Sequence, residues 1–276
     1  MLERSPDDAT VLFSARSESG RVRPHNEDSV LARFPLFLVA DGMGGHARGD
    51  LASSTAIRVI DEAISGGVPV SPESVLAAVR AANAAVRQLA GEAAGLSGTT
   101  LTGLVATVAD NGEWHWMVLN IGDSRVYRWN GRALSQLTID HSLVQELIDA
   151  GLLNEADAAR HPERNTITRA LGVHDSLEID AWLLPYDGWH TFLICSDGVS
   201  KEIETSGLEL ILASHPLDGS GSLADAIVEA ALEAGGRDNA TAVVVEAVWA
   251  HEPGLVATGT RDRSESGDTR PRGVTA

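Results

Sequence analysis

Cysteine is almost absent. Cys195 is the only one in the chain, so no intrachain disulfide can form. That fits a reducing compartment, and the apolar run around Cys195 marks it as a small core residue. Cationic side chains are also scarce, with 21 Lys and Arg against 39 Asp and Glu and a formal net charge of −18. Nucleic acid needs Lys and Arg against its phosphates, so this balance argues against it as a partner. The six tryptophans show no cluster suited to base stacking. No apolar stretch reaches the roughly 18 residues of a membrane span. The first ten residues are polar and acidic, without the apolar region of a secretory leader. A cytoplasmic protein, monomeric by default, is therefore expected. Familiar chemical signatures are missing too: no Walker lysine motif, no G-x-S-x-G elbow, no H-E-x-x-H and no Cys/His cluster with zinc spacing.

What the chain has is a globular profile, 43% hydrophobic and 22% charged over 276 residues. That length can bury one substantial core. Short apolar runs predict strands at 11–16, 29–32, 36–40, 99–109, 114–120, 125–129, 177–183, 191–195 and 241–248. Asn111-Gly112 and Asn130-Gly131 read as hairpin turns. Gly49 to Ile64 reads as a helix. Ser71-Pro72 opens another, whose Val75, Val79, Ala82, Val86 and Leu89 form one apolar stripe. Residues 142–150 form a third, stopped by Gly151. Ser222 with Asp225 resembles a capping box, and that helix ends at Gly235-Gly236. Hairpin-joined strands predict antiparallel sheets with helices packed outside. From about His251 the chain mixes Gly, Pro, Ser, Thr and charge without period, and 251–276 is expected to be a disordered tail.

Four segments carry candidate chemistry. Phe37 to Ala40 is an apolar run delivering Asp41-Gly42, followed by Met43-Gly44-Gly45-His46. Thr191 to Ser196 repeats the design with Asp197-Gly198. Gly235-Gly236-Arg237-Asp238-Asn239 precedes the last strand. Arg23-Pro24-His25-Asn26-Glu27-Asp28 precedes another. Each has a plainer reading: an Asp-Gly turn, a helix-ending turn, or a polar loop with an exposed ion pair. Two Asp-Gly elements at the ends of apolar strands weaken the turn-only view. Rigid strands can fix carboxylates, and carboxylate and carbonyl oxygens suit hard cations such as Mg²⁺ or Mn²⁺. Arg23 can grip phosphate in bidentate fashion.

Taken in order, these segments resemble the bacterial PP2C (PPM) family of metal-dependent protein serine/threonine phosphatases. Gly98-Thr99-Thr100, Gly122-Asp123-Ser124-Arg125, His161-Pro162-Glu163-Arg164-Asn165 and Arg169-Ala170-Leu171-Gly172 complete the pattern. The resemblance implies an α+β fold, a four-layer αββα sandwich of two central antiparallel sheets flanked by helices, within a domain at 8–250. It implies two divalent cations, Mn²⁺ or Mg²⁺, held by Asp41, the Gly42 carbonyl, Asp197 and Asp238. Asp123 with Asp197 would form a weaker third site. Arg23, Glu27 and Asp28 would act in catalysis, with hydroxide bridging the metals as nucleophile. Arg23 would also bind substrate phosphate, and Asn239 would support the site. A flap at about 140–172 would help select phosphoserine and phosphothreonine proteins, with a bacterial Ser/Thr kinase or its targets as partners.

Two positions depart from that pattern. Met43 stands where some relatives carry a histidine proposed as general acid; His46 is read as helping to order the glycine-rich turn. Lys201 stands where many relatives have an acid; it either points to solvent or weakens the third ion site. His161 and Arg164 either touch substrate or form a local clasp with Pro162 and Asn165. His141 is read as a helix-start residue. A rival reading is a catalytically weak phosphoprotein-binding signalling module on the same fold.

Overall fold

The computed structural model describes residues 2–4, 10–44, 48–66, 69–91, 97–186, 188–214 and 222–248. The expected tail at 251–276 and His46 lie outside these residues. Strands β1 (Leu2–Arg4), β2 (Thr10–Glu18), β3 (Asp28–Arg33) and β4 (Leu36–Met43) lead into helices α1 (Gly49–Ile64) and α2 (Pro72–Gly91). Strands β5 (Gly98–Thr99), β6 (Leu101–Val108), β7 (Trp114–Ile121), β8 (Arg125–Trp129) and β9 (Leu134–Gln136) follow. Helices α3 (Leu143–Asp149) and α4 (Glu155–Ala158) precede β10 (Asp180–Pro185) and β11 (Trp189–Cys195). Helices α5 (Asp197–Ser200), α6 (Thr205–Ser214) and α7 (Leu223–Ala234) lead to β12 (Ala240–Val248).

One sheet runs β1-β2-β12-β11-β8-β9. The other runs β10-β7-β6-β4-β3, with β5 paired to β4. All the pairings are antiparallel. The alternation of side chains along a strand sorts the core into three layers. Phe37 and Val39 of β4 face Phe192 and Ile194 of β11 and Val243 and Val245 of β12, between the sheets. Leu36, Leu38 and Ala40 face the other way, onto Ala56 and Ile60 of α1 and Val75, Val79 and Val86 of α2. Leu193 and Cys195 pack outward on Leu208 and Leu212 of α6 and Ile227 and Val228 of α7. The result is the expected αββα sandwich.

Most expected elements form within a residue or two. Ser71 and Ser222 both cap, accepting from the backbone N–H of Ser74 and Asp225. Gly151 ends α3 with φ +69°. Three details differ. The 99–109 run is broken at Thr100 into β5 and β6, because Thr100 bonds back to Asp41 instead of continuing the ladder. The 177–183 strand starts at Asp180, while Leu177 and Ile179 pack onto the helical layer. Helix α6 has no clean period in sequence: Gly207 interrupts it, and Leu208, Leu210, Ile211 and Leu212 surround the helix, leaving Leu210 73% exposed. No helix among the described residues is long and apolar enough to cross a membrane.

Candidate active site

Between the sheets, the apolar layer turns polar at one end, and the strand period explains how. Asp41 continues the Phe37–Val39 face of β4. Asp28 continues the Val30–Ala32 face of β3, directly opposite Asp41 in the ladder. Thr241 continues the face of Val243 and Val245, Ser17 that of Val11 and Phe13, and Ser196 that of Phe192 and Ile194. The acids therefore enter the end of the sandwich by simple alternation.

Asp28 is 9% exposed and is held by an ordered set of donors. Its Oδ2 accepts from Thr241 Oγ1 at 2.6 Å and Ser196 Oγ at 2.8 Å. Because Thr241 donates there, it must accept from Ser17 Oγ at 2.7 Å, which in turn accepts from Asn26 Nδ2 at 2.8 Å. Ser196 Oγ accepts the Thr241 N–H. The opposite oxygen, Asp28 Oδ1, is buried with no hydrogen-bond partner among the described residues, as is Asp123 Oδ1. Burial raises the Asp28 carboxyl to about 7 against the hydroxyl donors, with Asp197 and Asp238 adding repulsion.

Asp41 lies within β4, not past its end. Thr100 Oγ1 accepts its N–H at 2.9 Å, while Thr100 N–H and Thr99 Oγ1 donate to its carbonyl. Desolvation, then the charges of Asp28, Asp197, Asp123 and Asp238, push its carboxyl well above the usual range. Asp123, on the turn after β7, is 4% exposed and raised by burial to about 6. Asp197 starts α5 after β11, a short helix absent from the expected elements.

The glycines after Asp41 and Asp197 serve close backbone approach. A Cβ on Gly42 would sit 2.1 Å from the Gly49 carbonyl oxygen, and one on Gly198 would sit 1.9 Å from that of Asn239. The space is taken by neighbouring backbone, so these glycines knit the site together. Asn239 does the same with its amide. Its Oδ1 accepts the Glu27 N–H, and its Nδ2 donates to the Ser19 and His25 carbonyls. Glu27 stands at the N-terminus of α1, where Gly49 N–H bonds its carboxylate; burial nonetheless raises it. Arg23 Nη2 donates to Asp238 Oδ2 at 2.8 Å. Lys201 lies on Asp197 and Asp123.

His161 and Arg164 keep local company. His161 Nδ1 accepts the Glu163 N–H, and Arg164 Nη1 reaches the His161 carbonyl. The insert between Asp140 and Gly172 is fastened at its base. Ser142 bridges Ile167, and the Gly122 N–H donates to His141 Nδ1. That leaves His141 Nε2–H to donate to Asp180 Oδ2 at 3.1 Å, with Arg169 on Asp180 Oδ1. His141 is thus a buried strut, more than a helix start. Sequence reasoning gave no role to Ser196, Thr241, Ser17 or Asp180, whose residue types are too common to signal.

Among the described residues, no three acids, histidines or cysteines already surround one point. The donor set nevertheless fits hard divalent cations. It is all oxygen, its charges repel in a desolvated place, and two buried carboxylate oxygens lack partners. Arg23 is 53% exposed and can leave Asp238 without disturbing packing. A pH dependence follows for protein stripped of divalent ions. Asp28 and Asp123 bind protons more tightly folded than unfolded, so stability falls as pH rises from about 4 through their folded values of about 7 and 6. The melting temperature should rise as pH is lowered from about 8 to 5, and a saturating divalent cation taken up by the ionised acids should flatten the rise. A melting temperature that drops over this range in chelator would contradict the burial described.

Comparison with known proteins adds an independent line. A family model described as Protein phosphatase 2C matches residues 25–213. The chain is 34% identical over 241 residues to a serine/threonine phosphatase, stp, of Listeria monocytogenes, covering 84% of this chain and 94% of that one. It superposes on the PPM Ser-Thr phosphatase MsPP of Mycobacterium smegmatis, solved with cacodylate, at TM-score 0.75 and 33% identity, covering 85% and 97% of the two chains. The catalytic domain of the phosphatase PstP, solved with two manganese ions, gives TM-score 0.77 and 33% identity over 87% of this chain and 99% of that one.

Proposed function

Because the chain belongs to the protein phosphatase 2C family, we propose that the acidic end of the sandwich hydrolyses phosphoserine and phosphothreonine esters in proteins, using two divalent cations. The observation that carries this reading is the gathering of Asp28, Asp41, Asp123, Asp197 and Asp238 at one end of the sheets, strongly enough that each of the other four shifts the Asp41 carboxyl.

Asp41, the Gly42 carbonyl, Asp197 and Asp238 would hold the ions, with Asp28 and Glu27 close enough to feel the charge of Asp238. When bound, such ions lower the pKa of water and offset charge on phosphoryl oxygens. Asp28 is oriented for a proton-handling task, since the Ser17–Thr241–Ser196 hydroxyls commit its Oδ2 and leave Oδ1 free. Arg23, released from Asp238, presents its fork to the substrate phosphate. Asn239 keeps the Arg23–Glu27 loop against β12. The ions are Mn²⁺ or Mg²⁺, both suited to oxygen ligands.

The test is hydrolysis of a phosphothreonine peptide with Mn²⁺ or Mg²⁺ and after chelation. Activity should need the ion and return with it; hydrolysis undiminished in excess chelator would end the proposal. Arg23→Ala should lower kcat/KM by about 10–100-fold, the range for losing a hydrogen bond to a charged group. Arg23→Lys should recover only part, because a single ammonium cannot grip two phosphate oxygens. A steady-state comparison of the three proteins checks this.

A further inference from the structure

Lys201 neither points to free solvent nor pairs with one acid. Its Nζ lies 2.5 Å from Asp197 Oδ2, 3.2 Å from Asp123 Oδ2 and 3.2 Å from Asn165 Oδ1. These partners come from three separate parts of the chain: the start of α5, the turn after β7, and the insert between Asp140 and Gly172. The lysine backbone is fixed as well, its N–H donating to the Asp197 carbonyl at 2.8 Å as it closes α5. The ammonium therefore satisfies three acceptors with its three donors.

We propose that Lys201 is a positioning residue, a built-in counter-cation for the Asp123–Asp197 pair that also latches the neck of the 140–172 insert onto the acidic cleft through Asn165. Asp123 explains why a cation belongs there. It is almost wholly buried, faces Asp197, and has an unpartnered Oδ1. A buried carboxylate that shares one ammonium with a second, part-buried carboxylate needs that positive charge between them. A lysine four residues after Asp197 supplies it within the chain, so no additional ion from solution is needed between these two acids. Asn165 explains the latch. It is exposed, and it stands just before the Thr166 and Ile167 backbone that pairs with Leu143 and Ser142. The base of the insert is also held by the His141–Asp180–Arg169 strut. Lys201 adds a fastening on the cleft side. The latch itself does not need the phosphatase reading above.

The latch is tested by trypsin digestion of the folded, Mn²⁺-loaded chain, following cleavage after Arg160 and Arg164 by mass spectrometry. Asn165→Ala should speed these cuts by about three- to tenfold with the melting temperature nearly unchanged, as expected for losing one exposed contact. Lys201→Gln should speed them by at least as much and also lower the melting temperature, because it leaves Asp123 and Asp197 without their cation. Asn165→Asp, which puts a charge on Lys201, should slow them. Equal cleavage in wild type, Lys201→Gln and Asn165→Ala overturns the latch, and because Asn165 is exposed its variant can be read even if the lysine variant folds poorly. The counter-cation is tested by calorimetric Mn²⁺ titration, where Lys201→Asp should bind one more ion than wild type; equal counts overturn that half. A chain that shows faster cleavage in the variants but hydrolyses no phosphopeptide keeps the latch and loses the phosphatase reading.

Discussion

Asp41→Asn should lower kcat/KM on a phosphopeptide by about 10³-fold or more at saturating Mn²⁺, the scale of removing several kcal/mol of charge stabilisation from a metal-assisted displacement. The same substitution should raise the melting temperature of the chelated protein. Both effects have one source. The Asp41 carboxyl is desolvated and faces four other acids, so its charge works against the fold, and in the function proposed above it serves the ions. Asparagine keeps the size and removes the charge, and the Thr99 and Thr100 contacts that hold residue 41 go to its backbone. A variant that retains a tenth of wild-type activity would place the ions elsewhere. One that loses both activity and melting temperature would mean the carboxylate is structural.

Trp116→Ala should cost about 3–5 kcal/mol of unfolding free energy, against totals of about 5–15 for natural domains. Trp116 is fully buried between the sheets. Its ring lies 4.6 Å from that of Tyr186, 5.8 Å from Phe192 and 6.3 Å from Phe37. Those neighbours sit on β4, β11 and the segment after β10, so no single side chain can move in to fill the space. The layer between the sheets would lose the largest fully buried side chain among the described residues. Urea unfolding should show a lower midpoint with an unchanged slope. A loss below about 1 kcal/mol would show that the intersheet layer can collapse around the missing ring.

Much of this arrangement could be read from the sequence because the informative signals repeat. Short apolar runs marked nearly every long strand, and Asp-Gly at the ends of two of them marked Asp41 and Asp197. What stayed hidden did so for definite reasons. Helix α6 carries apolar residues on several faces and a glycine inside, so neither period dominates. Helix α5 is a single turn, too short to show a period. The hydroxyls around Asp28 are ordinary serines and threonines, made special only by sharing the inner face of two sheets. Lys201 was conspicuous as an unexpected charge. Its three partners lie up to 78 positions away in the chain, and only folding brings them to one nitrogen.

Strand β12 has a further implication for how the molecule comes into being. It lies in the interior of its sheet, between β2 and β11, and its lead-in carries Asp238 and Asn239. A ribosome-bound chain must therefore emerge past Val248 before the gap can be filled. Until then β2 and β11 present two open edges, and the cleft lacks one acid and the amide that gathers its loops. The nascent protein should be inert toward phosphate esters until the last of these residues arrives, with activity switching on late and all at once.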